Sequence, residues 1–159
     1  MQFGKEGGPR RDAPLNQLEF GSRRVVIHLH KAGVQAVAND VAAYEFQFRG
    51  RIVEVETYLG NIGGTSGATQ VDGKLNTVSI FSTVPSIAFN AATKRRRDAA
   101  GVAIGATGGA SNGVLTPAMG EPTGVRVQPG DYYRADVLAI AGTAPSDLSV
   151  FLHVVLEES

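Results

Sequence analysis

The chain contains no cysteine and no tryptophan in 159 residues. Without thiols there are no disulfides, thiolate nucleophiles or Cys-based metal sites to consider, and the composition suits assembly in a reducing cytoplasm. Without Trp, and with four Tyr and seven Phe, a sugar has little to stack on. Excess charge is missing too. Fifteen basic and fifteen acidic residues cancel, which argues against nucleic acid as the partner, because such binders are usually strongly basic. No apolar run reaches the ~18 residues of a spanning helix, so no membrane partner is expected. The opening MQFGKEGGPRRD lacks the apolar stretch of a secretory signal and is not expected to act as one. No internal repeat and no amphipathic helix longer than two turns stands out.

What the chain does have is alternation. Val53, Val55, Thr57 and Leu59 fall on one side of an extended segment, with Glu54, Glu56 and Tyr58 on the other. A period of two marks an antiparallel strand that buries one face. The same reading gives strands at 23–30, 44–48, 51–59, 68–71, 75–81, 87–89, 123–127, 132–140 and 148–156, with Gly50 kinking the second into the third. Residues 31–41 read as a short helix or a loop. Twenty Gly punctuate the pattern. Eight or nine strands in one domain predict an all-β fold, a two-sheet antiparallel β-sandwich of jelly-roll type spanning residues 23–159. At this length a real core can form without covalent help.

Two segments depart from the pattern. In residues 1–22, Gly4, Gly7, Gly8, Pro9 and Pro14 exclude regular structure, while Phe3, Leu15, Leu18 and Phe20 are spaced apolar anchors. Fully extended, the segment reaches on the order of 70 Å. It is expected to be an N-terminal arm lying on neighbouring subunits, with Arg10 and Arg11 adding charge, rather than a free tail. Residues 90–122 read as a long strandless excursion, usually a functional or disordered feature.

Candidate chemistry is thin. Gly109-Ala-Ser111-Asn-Gly113 spells the nucleophile-elbow pattern, but its flanks are loop rather than strand and helix. Gly67–Lys74 has one residue too many for a phosphate loop, and Leu75 stands where a magnesium-binding hydroxyl belongs. Asp72-Gly73 reads as the two-residue turn of a hairpin. Glu54 and Glu56 could be a paired acid and base, though a solvated or salt-bridged face is the simpler reading. His28 and His30 share a strand face and could chelate a metal given a third ligand, but no carboxylate is adjacent in sequence. An exposed strand face, or a subunit interface weakened by protonation, accounts for them without a metal. No catalytic, metal or cofactor residue is therefore assigned, and the chain is expected not to be an enzyme. Lys94, Arg95, Arg96 and Arg97 are the sharpest charge feature. They are expected in a solvated loop, or docked on acidic groups of a partner through guanidinium–carboxylate forks; phosphate contact is the weaker reading.

One resemblance goes further. The segments GTSG and DGKLNTVSIF, then VQPGDYYRADV and the final DLSVFLHV, are similar to those of jelly-roll virion proteins of tailed bacteriophages, the head decoration, cement and fibre modules. The matching pieces, Val53–Leu59, Ser66–Phe81, Val127–Ile140 and Asp147–Leu156, cover roughly the last two-thirds of the chain. The motifs carry strand and turn geometry rather than a reaction. The resemblance implies a capsid decoration or cement protein on the virion exterior, assembled in the host cytoplasm. It would associate with itself, as a homotrimer, and with the major capsid protein. The alternative it implies is a receptor- or glycan-binding module of a tail or head fibre, with Tyr44, Tyr132 and Tyr133 as the aromatic contributors.

Overall fold

The computed structural model describes residues 23–99, 102–104 and 124–157. The N-terminal arm with Phe3, Arg10, Arg11, Leu15, Leu18 and Phe20, and the Gly109–Gly113 motif, lie outside the described residues. The first strands are β1 (Arg24–Val34), β2 (Ala38–Glu45), β3 (Gly50–Asn61), β4 (Ala68–Leu75), β5 (Val78–Ser79) and β6 (Ser86–Ala88). They are followed by β7 (Arg95–Ala99), β8 (Val102–Ile104), β9 (Val125–Val127), β10 (Tyr132–Ala139) and β11 (Ser146–Leu156).

The strands form two antiparallel sheets, all-β as expected. One runs β1-β11-β3-β7-β8 with β9 beside β3; the other runs β2-β10-β4-β5 with β6 beside β4. The pairings β1–β11, β2–β10, β3–β7 and β4–β5 nest outer strands around inner ones, so the chain folds as a long hairpin rolled on itself. That wrapping is a jelly roll. The core lies between the sheets. Leu29, Ile52, Val55, Leu59, Leu148, Val150, Leu152 and Val154 face it from the first sheet. Phe46, Val71, Ile80, Phe81, Ile87, Tyr133, Ala135 and Val137 complete it.

Several expected elements sit elsewhere. Residues 31–41 are neither helix nor simple loop: they carry the end of β1, a turn and the start of β2. A bulge between Lys31 and Val34, Gly33 at φ +83° and Asp40 at φ 58° break the alternation that a sequence reading follows. Residues 44–48 are not a strand kinked into the next one. β2 ends at Glu45, and Phe46 to Arg49 carry the chain from one sheet to the other, pinned by Phe46 N–H to Asp131 O at 2.8 Å and Gly130 N–H to Phe46 O at 2.9 Å. In β3 the alternation slips at a bulge: Glu54 opposes His153 and Ile52 opposes Val154, leaving Val53 unmatched. Ile52 therefore joins Val55, Thr57 and Leu59 inside.

Asp72-Gly73 is not a turn. β4 runs straight through it, Asp72 opposite Asp136 and Gly73 opposite Ala135. The Ser79 hydroxyl donates to Asp72 Oδ1 at 2.6 Å, and an added Cβ on Gly73 would stand 2.4 Å from Tyr133 Oη. This glycine makes room for a ring. The hairpin turns instead at Asn76-Thr77, both at positive φ (49° and 82°), as a type I′ turn requires. Residues 90–122 are not strandless either, since β7 and β8 fall within them and lengthen the first sheet.

The outer face of the second sheet carries a buried carboxylate. Asp136 is 0% exposed, and its Oδ1 accepts the Asp40 N–H at 2.7 Å. Lys74 Nζ stands 2.9 Å from its Oδ2, and Arg134 Nε lies 3.5 Å from Oδ1. Burial alone raises the Asp136 pKa, but the Lys74 contact, the Asp40 amide and the Arg134 charge outweigh it and hold the carboxyl below its ordinary range. A depressed carboxyl contributes stability above its unfolded pKa and loses it as pH falls through the folded value. Replacing Asp136 by Asn is therefore expected to flatten the acid side of the stability profile, with wild type losing more of its urea midpoint as pH drops below about 4. Parallel profiles for the two proteins would contradict this.

Candidate functional site

The outward side chains of the first sheet form one continuous field, because registers align them in rows across β1, β11, β3 and β7. Val26, His153 and Glu54 make the first row; His28, Phe151, Glu56 and Arg97 the second; His30, Ser149, Tyr58 and Arg95 the third. All three histidines of the chain thus stand on one face. On β1, β11 and β3 the inward residues are mostly apolar, which forces the polar set outward.

The half of the field over β3 and β7 is a charge lattice. Arg95 Nε lies 2.8 Å from Glu56 Oε1. Arg97 Nε lies 3.1 Å from Glu54 Oε1 and 3.4 Å from Glu56 Oε2. His153 Nε2 approaches the same carboxylates, 3.5 Å from Glu54 and 3.9 Å from Glu56. Glu54, Glu56 and His153 offer ligand atoms within 4.8 Å of one another, a spacing that could hold a metal ion. Two guanidiniums already neutralise the two carboxylates, so a divalent cation would have to displace both. The same pairing leaves neither carboxylate placed as a free general acid or base. Glu54 and Glu56 occupy the salt-bridged outer face expected of them.

The other half, over β1 and β11, holds His28, His30, Ser149 and Phe151. The His28 ring lies flat on Phe151, centroids 4.4 Å apart and 8° from parallel. Sequence reasoning placed His28 and His30 together but could not bring His153, Ser149 or Phe151 to them. The LSVFLHVVL alternation shows that Ser149, Phe151 and His153 share a face; only the cross-strand register shows which face they meet.

The basic tetrad splits three ways. Lys94 Nζ donates to Gly60 O at 2.8 Å, at the end of the sandwich. Arg95 and Arg97 are solvent-facing, with side chains 56% and 42% exposed, and both pair within the chain. Arg96 is the departure from expectation. It lies on a strand, not in a loop, and its side chain is 1% exposed. Its Nε donates to both Asp98 oxygens at 2.9 and 3.1 Å, and its Nη1 to Ser86 O at 2.9 Å. Ser86 belongs to β6 in the opposite sheet, so this cation stitches the two layers from inside and does not face a partner. The strand period is the reason: residues 96 and 98 point inward where 95 and 97 point out.

Of the aromatics offered for glycan contact, Tyr133 is 1% exposed and lies in the core. Tyr44 packs edge-on against Phe46, 5.2 Å between centroids. Tyr132 alone of the three is exposed, at 40%. An open polar cleft lined by Arg49, Arg126, Val127, Gln128 and Glu157 lies at the end where β9 meets β3, and Glu157 is ion-paired there with Arg51 and Arg126.

The neighbouring arginines should separate cleanly by mutation. Arg96→Met removes the buried guanidinium fork to Asp98 and is expected to cost about 3–5 kcal/mol. Arg97→Met is expected to change stability by less than about 1 kcal/mol. Urea unfolding of both variants checks this, and equal effects would refute the inside–outside assignment. The chain as a whole matches no protein-family model, no curated protein and no solved structure, so its geometry and sequence pattern alone bear on function.

Proposed function

We propose that this chain is a non-enzymatic structural protein of a phage virion, a jelly-roll module that decorates or cements the capsid shell. One observation carries the reading: the segments that resemble phage virion modules are the ones that hold the jelly roll together. Asn76, from DGKLNT, donates through Nδ2 to Asp131 Oδ1 at 2.7 Å, within VQPGD. Asn76 Oδ1 accepts the Tyr132 N–H at 2.9 Å, and the Asn76 N–H returns to Tyr132 O at 2.9 Å. At the opposite end GTSG interlocks with the β10–β11 connection. Gly142 N–H reaches Ser66 O at 2.8 Å, and Thr143 N–H reaches Gly64 O at 2.7 Å. The shared motifs thus encode scaffold contacts, which supports a common architecture rather than a common reaction.

The mechanism is adhesive. Copies associate as a homotrimer, and the arm with Phe3, Leu15, Leu18 and Phe20 lies across the major capsid protein on the virion exterior. Each apolar anchor buried contributes about 1.5–3 kcal/mol, offset partly by the cost of ordering the arm. Many copies on one shell make modest contacts durable. Exposed Val34, Val37 and Val78 add apolar contact area at the β1–β2 and β4–β5 connections. Of the basic tetrad, Lys94, Arg95 and Arg97 lie at the surface, where a partner's acidic groups would compete with Gly60 O, Glu54 and Glu56. The fibre-module reading has less support, with only Tyr132 of its three aromatics at the surface.

Removal of residues 1–20 is expected to leave a folded, soluble oligomer that no longer co-sediments with undecorated heads, while the full chain binds them in a fixed number of copies. Full occupancy by the truncated form would defeat the arm mechanism. Failure of the full chain to bind, with retention on a glycan array, would favour the fibre module.

A further inference from the structure

On the β1 side of the outer field the side chains converge on a point. His28 and His30 stand two residues apart on β1 and project to the same side. Register sets Ser149 opposite His30 and diagonal to His28. His28 Nε2 lies 3.0 Å from Ser149 Oγ, and His30 Nδ1 lies 2.9 Å from the same atom. Stacking on Phe151 holds the His28 ring in that direction. Ser149 is itself 6% exposed, so the focal oxygen sits on the floor of the site while both rings stand above it. A hydroxyl has one proton to give. At least one of the two imidazole nitrogens therefore carries its own proton and donates to Ser149 Oγ.

We propose that His28 and His30, closing over Ser149, form a binding site for a late first-row transition metal ion of the Zn²⁺, Ni²⁺ or Cu²⁺ class. Imidazole nitrogen suits these ions, whereas Ca²⁺ and Mg²⁺ require oxygen ligands. Two such nitrogens already share a focus. Bringing them from hydrogen-bond distance to the about 2.0–2.1 Å of a metal–imidazole bond takes side-chain rotation and no strand movement. Both rings are exposed, so water completes the coordination. The ion replaces the hydroxyl contacts at the two ring nitrogens; a proton on a ligating nitrogen moves to the other nitrogen of the same ring, so each imidazole binds in its neutral form.

The charged and titratable neighbours are accounted for. On β11, Asp147 accepts the Gly33 N–H at 2.8 Å, and His153 turns to Glu54. On β3, Tyr58 stands opposite Ser149, and Glu56 is held by Arg95 and Arg97. On β1, Arg24 lies four residues from His28, and Lys31 falls on the other side of the strand. The site is thus separate from the Glu54, Glu56 and His153 cluster, whose carboxylates are occupied by guanidiniums.

Titration calorimetry of the full chain with nickel, copper and zinc salts near neutral pH tests the site. One ion per chain is expected. Affinity should fall by about tenfold or more in His28→Ala and in His30→Ala and stay unchanged in His153→Ala. Copper-loaded protein should show nitrogen hyperfine coupling from two imidazoles by electron paramagnetic resonance. Urea midpoints of the two alanine variants should match wild type, which separates lost ligation from lost folding. Absence of saturable binding would overturn the proposal. So would binding abolished by His153→Ala but not by His28→Ala or His30→Ala, which would place the ion in the charge lattice.

Discussion

The register of the last strand is the constraint on which the rest of this molecule depends. β11 lies between β1 and β3, so the C-terminal segment is the spine of the first sheet. Its inward residues Leu148, Val150, Leu152 and Val154 are all buried, and a slip of one residue would exchange them for Ser149, Phe151 and His153. The protein fixes this register at both ends. Gln35 N–H reaches Pro145 O at 2.9 Å at one end; Leu156 N–H reaches Arg23 O and Glu157 N–H reaches Arg49 O at the other. The outer field exists only because of that alignment, which joins His28 to a serine 121 positions away. Contacts of this separation close late and slowly, since loop entropy must be overcome before they form.

A second constraint acts on β7, which has no apolar face to bury. In its place the strand alternates compensated charges. Arg96 and Asp98 satisfy each other inside, and Arg96 also caps a carbonyl of the opposite sheet. Arg95 and Arg97 neutralise glutamates outside. Within the described residues one Arg96 nitrogen, Nη2, is buried without a hydrogen-bond partner, which adds desolvation cost to a pair already expensive to bury. Four consecutive cations in the sequence thus enter different electrostatic environments within a few ångströms, and their count says nothing about the charge the surface displays.

That contrast marks how far the sequence could be read. Alternating apolar residues in β1, β3, β10 and β11 were legible, and with them the sheet count and the sandwich. β7 was not, because the alternation that normally announces a strand was written in ion pairs. The hairpin turn was misplaced for a different reason. Asp-Gly is the stronger local turn signal, but Gly73 is held in β4 by the need to admit the Tyr133 ring, and Asn76 is held at the turn by Asp131 and Tyr132. Tertiary contact outweighed local preference at both positions. The outer field was half legible: strand period placed His28 with His30 and Glu54 with Glu56, while their meeting with Ser149 and His153 required a register that no local pattern carries.

The chemistry of that field also limits how the molecule can act at a distance. Its carboxylates and surface arginines are cross-paired, and the whole chain is formally neutral. Such a surface projects little long-range field. The β1 edge of the first sheet is guarded among the described residues. β1 carries a bulge between Lys31 and Val34 and a glycine at positive φ, devices that discourage strand-to-strand addition. The attachment proposed for this protein is then one of short-range fit over faces and connections, repeated across many copies. For a neutral body of this kind, the number of simultaneous contacts governs residence more than the strength of any single one.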